Sequence, residues 1–126
     1  MEANMGVELT TRKVRDVLVV ELSGRLTVLD PTFRDSMLHF LRTGYRRFIL
    51  KMNALSYIDS CGLGELIAIY VSIRHLGGEL RLLTPSTRVR ELLSITKLDT
   101  VFEILNDAAP FEGSAASPEN YSRTSA

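Results

Sequence analysis

At 126 residues the chain is long enough to bury a real core and too short for two domains. Apolar residues make up 45% and charged residues 24%, the mix of an ordinary soluble globular domain. Lys plus Arg equals Asp plus Glu at 15 each, so no overall field draws the chain to nucleic acid or to an anionic membrane, and neither is expected as a partner.

Met1 to Gly6 has no basic region followed by an apolar stretch, so a signal peptide is not expected. The longest apolar run, Leu66 to Ile73, falls far short of the ~20 residues a membrane-spanning helix needs. Cys61 is the one cysteine. It excludes an internal disulfide and fits a reducing, cytoplasmic compartment.

Val7 to Lys13 alternates weakly as a strand, and Arg15-Asp16 forms a turn into Val17-Leu18-Val19-Val20-Glu21-Leu22. That run is apolar on both faces as far as Glu21, which places it inside a sheet. Asp30-Pro31 reads as a helix start, a cap followed by a proline at the first helical position. Phe33, Met37, Phe40 and Leu41 then share one face, and Gly44 stops the helix.

Arg46 to Met52 gives a third strand. Past it, Leu63, Leu66, Ile67, Tyr70 and Ile73 recur at helical spacing until Gly77-Gly78. Glu79 to Thr84 is a fourth strand, and Thr84-Pro85-Ser86 opens a third helix with Val89, Leu92 and Leu93 as its buried stripe. Val101-Phe102-Glu103-Ile104 fits a short last strand or a helix end equally well. From Asn106 onward the chain turns to Ala, Ser, Pro, Glu and Asn, which cannot offset the entropy of ordering. The expected organisation is one domain over 1–105 and a disordered tail over 106–126.

Strand–helix alternation after an initial hairpin predicts an α/β domain with a mixed sheet and right-handed crossovers. Three helices are too few to cover both faces of a large sheet. A single helical layer, packed mainly on one face, is expected.

The most informative stretch is Asp59-Ser60-Cys61-Gly62-Leu63-Gly64-Glu65-Leu66. It joins a strand's carboxyl end to a helix, which is where ligands and chemistry gather in open α/β sheets. Serine and aspartate are also ordinary helix caps, so Ser60 reads either as a cap or as a functional hydroxyl. Gly62 and Gly64 each cost a helix roughly 1 kcal/mol relative to alanine. Close approach by another backbone or by a partner protein would account for them. Cys61 reads chiefly as a small residue packing the turn, with a reactive thiol at the helix N-terminus as the other option.

Enzyme signatures are missing. Gly62-x-Gly64 lacks the third glycine of a dinucleotide fingerprint, Ile67 standing in its place, and no phosphate loop occurs. No cofactor is expected. His39 and His75 lie on different helices with no second ligand at metal spacing, so no metal is expected. The strand-to-helix Gly-x-Ser-x-Gly elbow of a serine hydrolase is absent around Ser60. A binding module fits better than an enzyme.

Tyr57-Ile58-Asp59-Ser60-Cys61-Gly62-Leu63-Gly64-Glu65-Leu66 resembles the signature of STAS domains, the bacterial anti-sigma factor antagonists. The likeness runs from Val17–Leu26 through Gly77-Gly78-Glu79-Leu80 to Thr96–Phe102. It implies a four- or five-stranded mixed sheet with helices on one side. It also implies partner switching: the unphosphorylated antagonist binds an anti-sigma factor that is itself a serine kinase. Phosphorylation of the serine after the motif's aspartate, here Ser60, releases it, and a serine phosphatase resets the switch. Asp59, Ser60, Cys61, Gly62, Leu63 and Gly64 are then the expected partner-binding residues, and Gly62→Ala is expected to weaken binding more than folding.

Two positions depart from that pattern. Thr27, in Gly24-Arg25-Leu26-Thr27, and Lys51 stand where many relatives carry an acid; if those acids help dock the kinase, the partner here is a different one or docks differently. Two other roles compatible with a STAS domain are an assembly subunit of a transporter or signalling complex without a phospho-switch, and a nucleotide sensor. Keeping Ser60 favours the antagonist, since a fixed scaffold has no need of a hydroxyl there.

The tail yields a test. Deleting Pro110 to Ala126 is expected to leave thermal stability nearly unchanged, because little apolar surface is there to bury. A fall of more than a few degrees in melting temperature would mean that Phe111 or Tyr121 docks on the body.

Overall fold

A computed structural model describes residues 6–27, 31–83 and 85–105. The elements run β1 (Val7–Val14), β2 (Val17–Leu26), α1 (Thr32–Arg42), β3 (Arg47–Ile58), α2 (Ser60–His75), β4 (Glu79–Leu83), α3 (Thr87–Ile95), a single 3-10 turn (Leu98–Thr100) and β5 (Glu103–Leu105). The five strands form one sheet in the order β1-β2-β3-β4-β5. Val14 pairs with Val17 across the Arg15-Asp16 turn, so β1 and β2 are an antiparallel hairpin, and every later pairing is parallel.

Each crossover from β2 to β5 steps one strand in the same direction. With right-handed connections, all three helices must then fall on one face. Strand alternation does the rest. Leu18, Val20, Leu22, Phe48, Leu50, Met52, Leu80 and Leu82 meet Phe33, Met37 and Leu41 of α1, Leu66, Ile69 and Ile73 of α2, and Val89 and Leu93 of α3 in one core. The mixed sheet with one helical layer expected from the sequence is the observed fold.

The other face carries only a small buried cluster, Val17, Val19, Ile49 and Leu83. Long charged side chains cover it, with their stems on apolar surface and their heads paired. Arg81, buried there, places Nη1 2.7 Å from Glu79 and Nε 2.8 Å from Glu103. Arg47 spans Asp16 and Glu79 at 2.9 and 3.6 Å.

Several boundaries shift. Pro31 stands at the cap position rather than inside α1, its carbonyl accepting the Asp35 N–H at 2.9 Å. Asp30 and Thr84, read as parts of helix starts, and the tail 106–126 lie outside the described residues. Ser86 caps α3, accepting the Val89 N–H at 3.3 Å. The segment read as a strand or a helix end follows the 3-10 turn at Leu98–Thr100 and runs into a true fifth strand, Glu103–Leu105. α2 ends where expected: Gly77, at φ +82°, takes the left-handed turn, and the Gly78 N–H returns to the Ile73 carbonyl at 2.8 Å.

Strand β3 runs six residues past Met52 to Ile58, which is the largest difference from the sequence reading. Its register against β2 slips between Glu21 and Ser23 and again between Gly24 and Arg25, each time with an extra residue on β3. These bulges break the alternation by which a strand is recognised. They also deliver Ile58 opposite Leu26, so that α2 begins directly over the end of β2.

Gly62 makes that junction possible. A Cβ at Gly62 would overlap the Leu26 carbonyl oxygen, with the Leu26 carbonyl carbon 2.8 Å away. Helix propensity alone favours alanine there by about 1 kcal/mol, but backbone cannot give way as a side-chain tip can. Gly62→Ala is therefore expected to destabilise folding by about 1–3 kcal/mol, as overpacking does, in a urea titration. Unchanged stability would mean that α2 slides freely on β2. The sequence-based expectation, that binding suffers more than folding, did not include this contact, by which the glycine packs inside the domain.

Candidate functional site

Ser60 is the first residue of α2, at the carboxyl end of the longest strand. The helix cap is Asp59, not Ser60. Its backbone is extended, at φ −106° and ψ −176°. Asp59 Oδ1 accepts the Gly62 N–H at 2.7 Å, and the Asp59 carbonyl accepts the Leu63 N–H at 2.8 Å. The Asp59 N–H in turn points to the Leu26 carbonyl at 3.4 Å. With the cap supplied by its neighbour, Ser60 is exposed, and its Oγ meets no hydrogen-bond partner among the described residues.

The motif splits into an inner and an outer set. Gly62 and Leu63 are buried, Leu63 within the main core. Ser60, Cys61 and Gly64 are exposed, with Asp59 half-buried. Any surface role for Gly62 and Leu63 is thus indirect, through the position they give their neighbours. Cys61 corrects the packing reading: the glycine and leucine after it take the inward positions of the first turn, leaving the thiol in solvent. Gly64 faces open space, with nothing within 4 Å of an added Cβ.

Between Ser60 and Arg74, Glu65 is the only charged residue of α2. Its Oε2 accepts from Arg34 Nη1 on α1 at 2.8 Å. An outer helix normally shows charges to solvent. This one shows Ser60, Gly64 and Ala68, which are exposed and small. At helical spacing these residues form a smooth strip leading from the serine.

Arg25 and Tyr57 pair at the ends of β2 and β3, the guanidinium 4.3 Å from the ring centroid. The two departures from the antagonist pattern lie elsewhere. Thr27 is buried. Lys51 sits opposite Glu21, between the core residues Leu50 and Met52, and so faces the side of the sheet without helices. Neither lies on the exposed strip of α2.

No histidine is placed to activate Ser60. His75 closes the far end of α2, about 22 Å away at 1.5 Å per residue. His39 lies in the last turn of α1, its ring edge-on to Phe40. Among the described residues no group of three or more His, Cys, Asp or Glu could hold a metal ion, and no helix is long and apolar enough to cross a membrane. Sequence reasoning missed the Arg34–Glu65 pair, since no local pattern signals partners 31 positions apart. It also missed Ile69, buried where Ile67 and Tyr70 are half-buried.

Comparison with known proteins agrees with this geometry. The family described as the STAS domain matches residues 8–109. A protein of Thermotoga neapolitana whose name places it among the anti-sigma factor antagonists is 38% identical over 65 residues, 52% of this chain and 58% of that protein. The chain thus matches under two thirds of that relative's length. The anti-sigma-B factor antagonist of Bacillus subtilis is 28% identical over 102 residues, 79% of this chain and 92% of that protein. Among solved structures, a Thermotoga maritima crystal structure titled for an anti-sigma factor antagonist superposes with TM-score 0.75 at 26% identity, covering 85% of this chain and 93% of that one. The Bacillus cell-fate determinant SpoIIAA in its phosphorylated form shares the fold, with TM-score 0.64 at 20% identity over 83% of this chain and 97% of that one. The chain belongs to the STAS domain family.

Proposed function

We propose that this chain is an anti-sigma factor antagonist whose hold on its partner is switched by phosphorylation of Ser60. The observation that carries the reading is the exposed, unpartnered Ser60 hydroxyl, freed from capping by Asp59, at the head of a helix with a smooth uncharged outer strip. A kinase needs a hydroxyl it can reach, and a partner needs a surface it can approach closely. Ser60 and the strip through Gly64 and Ala68 offer both.

The proposed partner is an anti-sigma factor that also acts as the serine kinase, with a serine phosphatase to reset the switch, in a bacterial cytosol. The antagonist itself performs no catalysis; it is bound and it is modified. The name of the Bacillus subtilis relative, which covers most of this chain, supports the choice of partner class.

Phosphorylation would add about −1.5 to −2 charges at pH 7. Within the domain, the positive end of α2 accommodates that charge, so the fold persists. Across an interface, the phosphate sits beside the Asp59 carboxylate. Burying it without an arginine to receive it is opposed by desolvation and like-charge repulsion, on the order of several kcal/mol. About 5.5 kcal/mol takes a two-state equilibrium from 99:1 to 1:99, so one phosphate suffices.

Two experiments follow. Ser60→Ala is expected to bind the kinase partner as wild type does, while Ser60→Asp folds normally and binds weakly, by titration calorimetry. Equal affinity for all three forms would remove the switch and leave an assembly subunit as the better reading. Gly64→Gln, which adds bulk only on the open side of α2, is expected to keep or raise the melting temperature and to weaken binding about tenfold, the loss of roughly 1.4 kcal/mol. Unchanged affinity would place Gly64 outside the interface.

A further inference from the structure

Among the described residues, four large hydrophobic side chains are exposed: Val71, Leu76, Ile95 and Val101. Two of them, 56% and 49% exposed, share one groove of about 580 Å³. Leu38 and Leu41 of α1 form the facing wall, so the groove lies between the carboxyl-terminal halves of the two helices. Val71 is eleven residues from Ser60, about 16 Å along α2. The groove is therefore at the opposite end of the helix from the phosphorylation site.

Its rim is basic. Arg42, Arg46 and His75 line it, and no acidic residue does among those described. Arg46 is held in place, Nη1 donating to the Leu41 carbonyl at 2.9 Å and to the Tyr45 carbonyl at 2.8 Å. Arg42 is exposed and ends α1. In a chain whose net charge is zero, this local excess of positive charge around an apolar trough is a feature of placement, not of composition.

We infer that this groove is a second docking surface, and that it takes an acidic amphipathic helix of a partner protein. Apolar side chains at helical spacing would fill the trough between Leu38, Leu41, Val71 and Leu76, and flanking carboxylates would meet Arg42, Arg46 and His75. A second copy of this chain is disfavoured, because a two-fold contact would set the same three basic residues against each other. An acyl chain would keep much of its length in water, since the trough is open along one side. The surface operates independently of Ser60, so a partner there stays bound through a phosphorylation cycle.

The test is an amide NMR titration with a synthetic peptide of about 18 residues carrying leucines at i, i+3, i+4 and i+7 between glutamates. Saturable shifts are expected at Leu38, Leu41, Val71 and Leu76, with Ser60 and Gly64 unmoved. Arg42→Glu, which removes no contact seen in the fold, should weaken binding about tenfold, whereas Ser60→Asp should bind as wild type does. The inference is overturned by absence of saturable binding, equal binding of a scrambled peptide, or an unaffected Arg42→Glu variant. It is equally overturned if phosphatidylglycerol vesicles move the groove amides and the peptide does not, or if the groove shifts track self-association. Failure here leaves the Ser60 switch intact, since the Ser60 variants read the other end of α2.

Discussion

The first turn of α2 rests on the last carbonyl of β2, and it can do so only because residue 62 has no Cβ. That contact fixes where the helix begins. It brings the Asp59 N–H to the same Leu26 carbonyl and turns the Asp59 carboxylate onto the Gly62 amide. A short polar residue now fills the cap, and the hydroxyl of the serine beside it has no partner among the described residues. The exposure of this serine is thus set by the packing beneath it.

The sheet's topology decides what α2 shows to solvent. Three crossovers in one direction put all helices on one face, with α1 close beside α2 and tied to it by Arg34 and Glu65. α2 carries apolar residues on most of its circumference, more than a helix in an outer layer needs for its own core contacts. The surplus lies on the outer strip and at the carboxyl end, around Val71 and Leu76. One end of the helix combines a free hydroxyl with a close-approach surface. The other combines apolar surface with a basic rim. The two proposed docking surfaces thus lie at opposite ends of a single element.

Much of this was legible in the residues themselves. Short, nearly continuous apolar runs in Val17–Leu22, Phe48–Met52 and Leu80–Leu83 mark the strands, and the Asp59–Leu66 motif marks the junction between strand and helix. Other features were not legible, for physical reasons. The end of β3 hides behind two bulges that break the two-residue period. Capping by Asp59 rather than Ser60 depends on backbone angles at one position. Gly62 and Gly64 look alike in the sequence, yet one faces a carbonyl and the other faces solvent. Only the fold separates the glycine packed on backbone from the glycine that faces open space. Arg42 and Arg46 stand four positions apart and read as a small basic cluster of solvated charges, but only the fold brings His75 and the apolar trough beside them.

The central claim is that one charge at the head of α2 changes binding without changing the fold. The most direct measurement is the affinity of protein carrying phosphoserine at position 60 for its anti-sigma partner, compared with the unmodified chain under the same salt. The account predicts a loss of at least about a hundredfold, some 2.7 kcal/mol, with an amide spectrum unchanged outside the first turn of α2. Equal affinity for the two forms would contradict it, as would a loss of binding accompanied by unfolding of the helix.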